Sequence, residues 1–253
     1  LFDHDLFGKP ASTFPDHALI TPRQDGSGIL SDTSTLDHFV NIKAAKDGFV
    51  RTRWWWIRHA PVIVDEGRIY GQSDLPCDCS DARVFASLAR LLPRKAVWLT
   101  SHLARTQQTA QAIFAAGDFE AMPELQQDRD LAEQHLGDWQ GLDRHTFLMN
   151  RTQEPDSFWY ATADERAPNG ESFVDLLQRV GGAIERATKK HRGSDIVAVA
   201  HGGTIRAAIA IALGLPPRGG FAFMIDNCSL TRLDHYQGAD RSGWRVTAIN
   251  HRP

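Results

Sequence analysis

RTRWWWIRHAP, residues 51–61, is the stretch on which the reading of this chain turns. Trp54, Trp55, Trp56 and Ile57 form a bulky, aromatic-rich run, the pattern of a strand buried on both faces as in a parallel sheet. Pro61 disfavours helix just before it, so the chain is expected to leave the sheet there. Arg58 and His59 then fall at the strand's carboxyl end, where open α/β sheets bind their ligands.

Two further segments make the same move. AVWLTSHLARTQQTA (96–110) runs from an apolar strand into Ser101 and a helical stretch carrying Arg105. DIVAVAHGGTIRAAIAIALG (195–214) runs from a strand into His201-Gly202-Gly203 and a long apolar helix. Parallel strands deliver such ends to one edge of a sheet. Two arginines and two histidines converging on one cleft suit a phosphoryl group.

Composition bounds the rest. With 253 residues, 42% of them hydrophobic, the chain suits one ordinary domain with a sizeable core. A net charge of −3 provides no basic field for nucleic acid. No apolar run reaches the roughly 18 residues of a membrane span, and the opening LFDHDLFGKP is mixed and acidic, unlike a secretory leader. Cys77, Cys79 and Cys228 show neither zinc spacing nor a CxxC pair, and the first two are too close in sequence for a comfortable bridge. A reducing, cytoplasmic setting is expected, and a homodimer is left open.

Residues 1–51 differ in character from the rest of the chain, with short Pro, Gly, Asp, Ser and Thr clusters and little periodicity. They read as an irregular extension whose His4, His17 and His38 are solvated, and residues 52–253 as the domain that carries the chemistry. Within it a long, turn-rich loop follows the first strand. Ser80 or Asp81 caps a helix with Val84, Leu88, Leu91 and Leu92 on its apolar face. Strand 96–100 and helix 102–116 follow, with Ala110, Ile113 and Phe114 turned to the core. Residues 117–140 read as irregular and acidic. Helices are expected near 141–150 and 171–190, the second with a stripe of Phe173, Leu176, Leu177, Val180 and Ile184. Strand 195–200 and helix 203–213 complete the pattern, and the C-terminal strands alternate as at an antiparallel edge.

An imidazole such as His59 attacks phosphorus directly if one ring nitrogen is free and the other donates, for example to a backbone carbonyl. Arg58, Arg105 and a protonated His201 can neutralise the transferring oxygens. The N–H groups of Gly202 and Gly203 open a helix and add anion affinity. A carboxyl group must protonate the leaving oxygen. Glu133 is a candidate, and Asp74, Asp128, Asp130 and Asp138 compete with it on composition alone. Gln72 and Ser73, in the loop GRIYGQSDL, can contact phosphate or substrate, although turn-forming residues need no such role. HExxH, EF-hand and GxxxxGK[ST] patterns are absent, so no metal or other cofactor is expected.

These residues together resemble the histidine phosphatase superfamily, also called the phosphoglycerate mutase-like family, over about residues 52–253. Its Arg-His-Gly signature appears as Arg58-His59-Ala60. Its Ser-x-x-x-Arg-x-x-x-Thr element matches Ser101, Arg105 and Thr109. Leu-x-Glu followed by Gly-x-Trp-x-Gly matches Leu131, Glu133, Gly137, Trp139 and Gly141. Pro-x-Gly-Glu-Ser is Pro168, Gly170, Glu171 and Ser172, and the His-Gly-Gly histidine is His201. The resemblance implies a three-layer α/β/α sandwich around a mostly parallel sheet, with metal-independent chemistry on a small phosphate ester. It makes His59 the nucleophile, Glu133 the acid and base, and Arg58, Arg105 and His201 the phosphate pocket. Where the family's mutases continue with an acidic or Gln residue and a later Trp-Asn, this chain has Ala60-Pro61-Val62 and lacks the Asn. That departure favours hydrolysis over mutase transfer. GRIYGQSDLPCD looks most like α-ribazole phosphatases of cobalamin synthesis. A phosphoprotein phosphatase and a non-catalytic phosphate-binding module are the remaining alternatives.

Overall fold

The computed structural model describes residues 48–253, apart from 122 and 157. The expected extension and its three histidines lie almost wholly outside the described residues. Six strands form one sheet: β1 (Val50–Arg58), β2 (Val97–Thr100), β3 (Leu125–Gln127), β4 (Asp195–Ala200), β5 (Leu230–Gln237) and β6 (Ser242–His251), in the order β3-β2-β4-β1-β5-β6. β3, β2, β4 and β1 run parallel, and β5 and β6 add an antiparallel edge.

Alternation along β1 sends its aromatic run to two different layers. Trp54 and Trp56 stack on one another, 4.9 Å between centroids, and are fully buried with Ile196 and Ala198 of β4. They pack under α4 (Phe173–Lys190) and α5 (Gly202–Leu213). Ile57, Val197 and Val199 face the opposite way, toward α1 (Ala82–Leu91) and α2 (Ala104–Ala116). The result is the expected three-layer α/β/α sandwich. Truncating either inner Trp to Ala would cost about 3–5 kcal/mol. Burial on both faces is not uniform, however. Trp55 is only half-buried, with Arg232 of β5 over its ring at 4.5 Å and Asp195 accepting its indole N–H at 2.8 Å.

Local signals place most helices well. Asp81 caps α1 by accepting from Arg83 N–H, and a reciprocal capping box between Ser172 and Asp175 starts α4. The buried face of α1 is Phe85, Leu88, Ala89 and Leu92, one step round from the expected stripe, which leaves Leu91 exposed. The helix expected near 141–150 is the short α3 (Arg144–Met149). Residues 117–140, read as irregular, contain β3. With only three residues and partial burial, it carries too little apolar pattern to be seen in sequence.

Candidate active site

Register brings the strand ends together. Arg58 lies level with Ala200, and Thr100 with Val199, so His59, Ser101 and His201 each follow at one edge of the sheet. The His59 N–H donates to the Ala200 carbonyl at 2.9 Å. The two imidazoles are buried, with centroids 5.2 Å apart. Burial, and then the charges of Arg105 and Arg58, hold His59 well below its usual range. Burial and Arg105 do the same to His201, so both rings are neutral in this state. That differs from a protonated His201; an arriving phosphoryl dianion would oppose the depression.

His59 Nδ1 lies 2.6 Å from the Ala60 carbonyl. A carbonyl only accepts, so Nδ1 carries the proton and the Nε2 lone pair is available. Neighbouring chain holds this geometry. Thr109 Oγ1 accepts from Ala60 N–H at 2.8 Å while donating to the Arg105 carbonyl at 2.7 Å. Asn227 Nδ2 donates to the His59 carbonyl at 2.7 Å. His201 Nε2 hydrogen-bonds Ser101 Oγ at 2.8 Å.

Arg105 is fully buried on α2, its Nη1 and Nη2 donating to the carbonyls of Ser73 (2.8 Å) and Gly71 (2.7 Å). Arg58 Nη1 donates to the Ile225 carbonyl at 2.6 Å. After these bonds, Arg58 Nε, Arg105 Nε and His201 Nδ1 remain buried without partners. Buried polar groups without partners are costly to a folded chain, and an anion is the natural partner for the two guanidinium N–H groups among them.

Glu133 follows β3 and a 3₁₀ turn over Arg129–Leu131, which places it at the same edge. Its carboxylate accepts from the Gly203 N–H through Oε1 (3.0 Å) and Oε2 (3.2 Å). The α5 N-terminus, expected to serve the phosphate through both glycine amides, therefore gives its Gly203 amide to Glu133. A Cβ at residue 203 would lie 2.3 Å from Oε1, so only glycine allows this contact. The Glu133 carbonyl accepts from Arg179 Nη2 and Gln72 Nε2, each at 2.8 Å. Arg179 is held in turn by Glu171 at 2.5 Å, which gives the Pro-x-Gly-Glu-Ser element a positioning role. Gly137 (φ +44°) lets this loop pass Pro168, whose carbonyl oxygen would be 1.9 Å from a Cβ.

The other acids are occupied elsewhere. Asp74 caps α2 at Ala104 N–H, Asp128 and Asp130 pair with Arg186, and Asp138 takes the Asn169 amide. Glu133 alone among these carboxylates lines the cleft beside Arg58 and Gly202. Gln72 turns toward Glu133 as an amide donor, and Ser73 meets Arg105 through its backbone carbonyl. Tyr70, Trp159, Tyr160 and Arg206 also line the cleft and carried no sequence signal, being single residues in long connections or on a helix. Among the described residues, no group of three or more His, Cys, Asp or Glu is placed to hold a metal ion, and no helix is long and apolar enough to cross a membrane.

Comparison with known proteins converges on the same region. Residues 54–251 match the model of the histidine phosphatase superfamily, branch 1. The curated protein named "Probable phosphoglycerate mutase GpmB" of Serratia proteamaculans is 32% identical over 182 residues, covering 71% of this chain and 83% of that protein. The α-ribazole phosphatase of Shigella flexneri superposes with a TM-score of 0.64 at 25% identity, over 79% of this chain and 96% of its own. A mycobacterial glucosyl-3-phosphoglycerate phosphatase, solved with VO3, gives 0.64 at 26% identity, over 79% and 98%. With its strand-end histidines and arginines at one sheet edge and the family model spanning that whole fold, the chain is an enzyme of the histidine phosphatase superfamily, branch 1.

Proposed function

We propose that the protein hydrolyses the phosphomonoester of a small metabolite through a phosphohistidine at His59. The observation that carries this reading is the His59 tautomer. Nδ1 is committed to Ala60, and Nε2 stands in a cleft where Arg58, Arg105 and His201 have unsatisfied donors or acceptors. In the first step the Nε2 lone pair forms a bond to phosphorus while the ester P–O bond breaks. Glu133 gives its proton to the departing alkoxide. Water then attacks phosphorus, Glu133 takes one of its protons, the P–N bond breaks and inorganic phosphate leaves. The guanidinium groups of Arg58 and Arg105 supply the charge that Mg²⁺ supplies in other phosphoryl-transfer sites, so dialysis against EDTA should leave the rate unchanged.

α-Ribazole phosphate is a candidate substrate, supported by the Shigella flexneri neighbour and by the GRIYGQSDLPCD stretch. A cytoplasmic setting goes with it, on the pattern of the three cysteines. Phosphoryl transfer of the phosphoglycerate mutase type is the second reading, favoured by the curated relatives. Labelled substrate quenched without acid should leave label on His59, and His59→Ala should trap none. Label on Ser101 or Cys77 would overturn the mechanism. Product analysis separates free phosphate from a rearranged ester.

A further inference from the structure

Besides Arg58, a second arginine lines the cleft: Arg206, carried there by α5. Its Nε donates to the Phe223 carbonyl at 2.9 Å, and its guanidinium lies over the Trp159 ring, 5.1 Å from the centroid. Trp159 stacks on Phe221 at 5.5 Å and donates its indole N–H to Gln134 at 2.9 Å. The guanidinium is therefore placed before any ligand arrives, which lowers the ordering cost of binding one.

What it lacks is a counter-ion. Among the described residues Arg206 forms no ion pair, and its one hydrogen bond is the Nε bond to Phe223. Arg206 Nη1 and Arg58 Nε converge above Gly202, where a Cβ would lie 3.4 Å from the first and 3.6 Å from the second. Two guanidinium groups drawn together in a partly buried cleft repel one another. Burial depresses the Arg206 pKa, with Glu133 opposing and Arg58 adding to the depression. Glu133, the carboxylate at hand, is already held by Gly203. With Arg58 and Arg105 given to the phosphoryl group in the proposed mechanism, the Arg206 charge beside Trp159 is left without an answering anion among the described residues.

We infer that Arg206 is a specificity-determining residue that binds a second anionic group, a carboxylate or a second phosphate, on the alcohol portion of the substrate. The inference rests on the phosphomonoesterase reading of the site. Its partner chemistry is that of charge-assisted, fork-like hydrogen bonding to a planar or tetrahedral anion.

Three esters of one chain length test it: propyl phosphate, 3-(phosphooxy)propanoate and propane-1,3-diyl bisphosphate. The 253-residue chain should favour an anionic ester over propyl phosphate in kcat/KM by roughly 10–100-fold, the range of a hydrogen-bonded charge pair. Arg206→Gln should collapse that ratio toward one, and Arg206→Lys, which keeps the charge, should retain part of it. Comparison of the two anionic esters tells carboxylate from phosphate. Equal loss on all three esters would place Arg206 in the phosphoryl pocket or the scaffold and overturn the inference, as would a ratio unaffected by either substitution. The ratio is internal to each variant, so a partly folded preparation does not distort it. Wild-type turnover of p-nitrophenyl phosphate with no preference for the anionic esters would sink Arg206 alone. No turnover and no trapped phosphohistidine would sink the phosphatase reading, and this inference with it.

Discussion

The carboxylate of Glu133 sits on the backbone N–H of Gly203, 3.0 Å from Oε1 and 3.2 Å from Oε2, across 70 residues of sequence. A helix N-terminus that in many proteins cradles a ligand anion here cradles a side chain. On the proposed mechanism the contact fixes where a proton is delivered relative to His59, and its geometry leaves no room for a Cβ at residue 203.

Gly203→Ala should therefore act as a catalytic defect. The new Cβ would lie 2.3 Å from Glu133 Oε1 and 3.1 Å from Leu176 Cδ2, so the carboxylate must leave the amide. We expect kcat on an alkyl phosphate to fall roughly 10²-fold, within the range of lost general acid catalysis. Overpacking should add about 1–3 kcal/mol of destabilisation, measurable by urea unfolding. Combined with Glu133→Gln, the rate should fall no further than with Glu133→Gln alone. A wild-type rate in Gly203→Ala would show that the amide contact is dispensable.

Glu133→Gln should separate substrates by how badly the leaving oxygen needs a proton. For an alkyl ester the loss should be roughly 10²–10⁴-fold, and for p-nitrophenyl phosphate far smaller. In the proposed mechanism water attack on the phosphohistidine uses the same residue as base, so burst-phase phosphorylation rates are the measurement, not steady-state kcat. Equal burst-phase losses on both esters would remove Glu133 as the acid.

The buried histidines predict a pH dependence of stability with a definite sign. His59 and His201 are both pushed well below 6.5 in the folded protein, chiefly by burial. Above that pH both rings are neutral whether folded or unfolded, and they add no slope. Below it the unfolded chain takes up protons that the folded chain refuses, so stability falls as pH falls, until the folded rings titrate. Each ring contributes up to about 1.4 kcal/mol per pH unit in that window. Urea unfolding between pH 7.5 and pH 5 should show this slope, and His59→Gln should reduce it. With His59 as the proposed nucleophile, the same depression keeps its Nε2 unprotonated, so the acid limb of kcat/KM should not reflect a histidine titrating at 6.5.

The chemistry is expected to need only the domain from β1 onward. β1 begins at Val50, paired with Gln237, so a chain starting at Gly48 keeps the whole strand. Its rate on p-nitrophenyl phosphate should match that of the 253-residue chain within about threefold, a difference of roughly 1 kcal/mol or less in barrier. A folded but inactive truncated chain would assign residues 1–47 to the site.

The strand-end signals were legible because they are local. A run such as WWWIRHAP or VAVAHGG carries its own period and its own exit, and a parallel sheet gathers such exits without further instruction. His59, Arg58, Arg105 and His201 were therefore readable as candidates at one sheet edge from sequence reasoning alone, and the family resemblance named Glu133. Contacts made by loops and lone side chains were not local. Nothing in the sequence says that Asp74 is spent on Ala104 or Asp130 on Arg186, which is what separates them from Glu133. Nor does it say that Gly203 serves Glu133, or that Arg206 lies over Trp159 without an ion pair among the described residues. Those assignments depend on where chains distant in sequence pass one another, and only packing of the two helical layers on the sheet decides that.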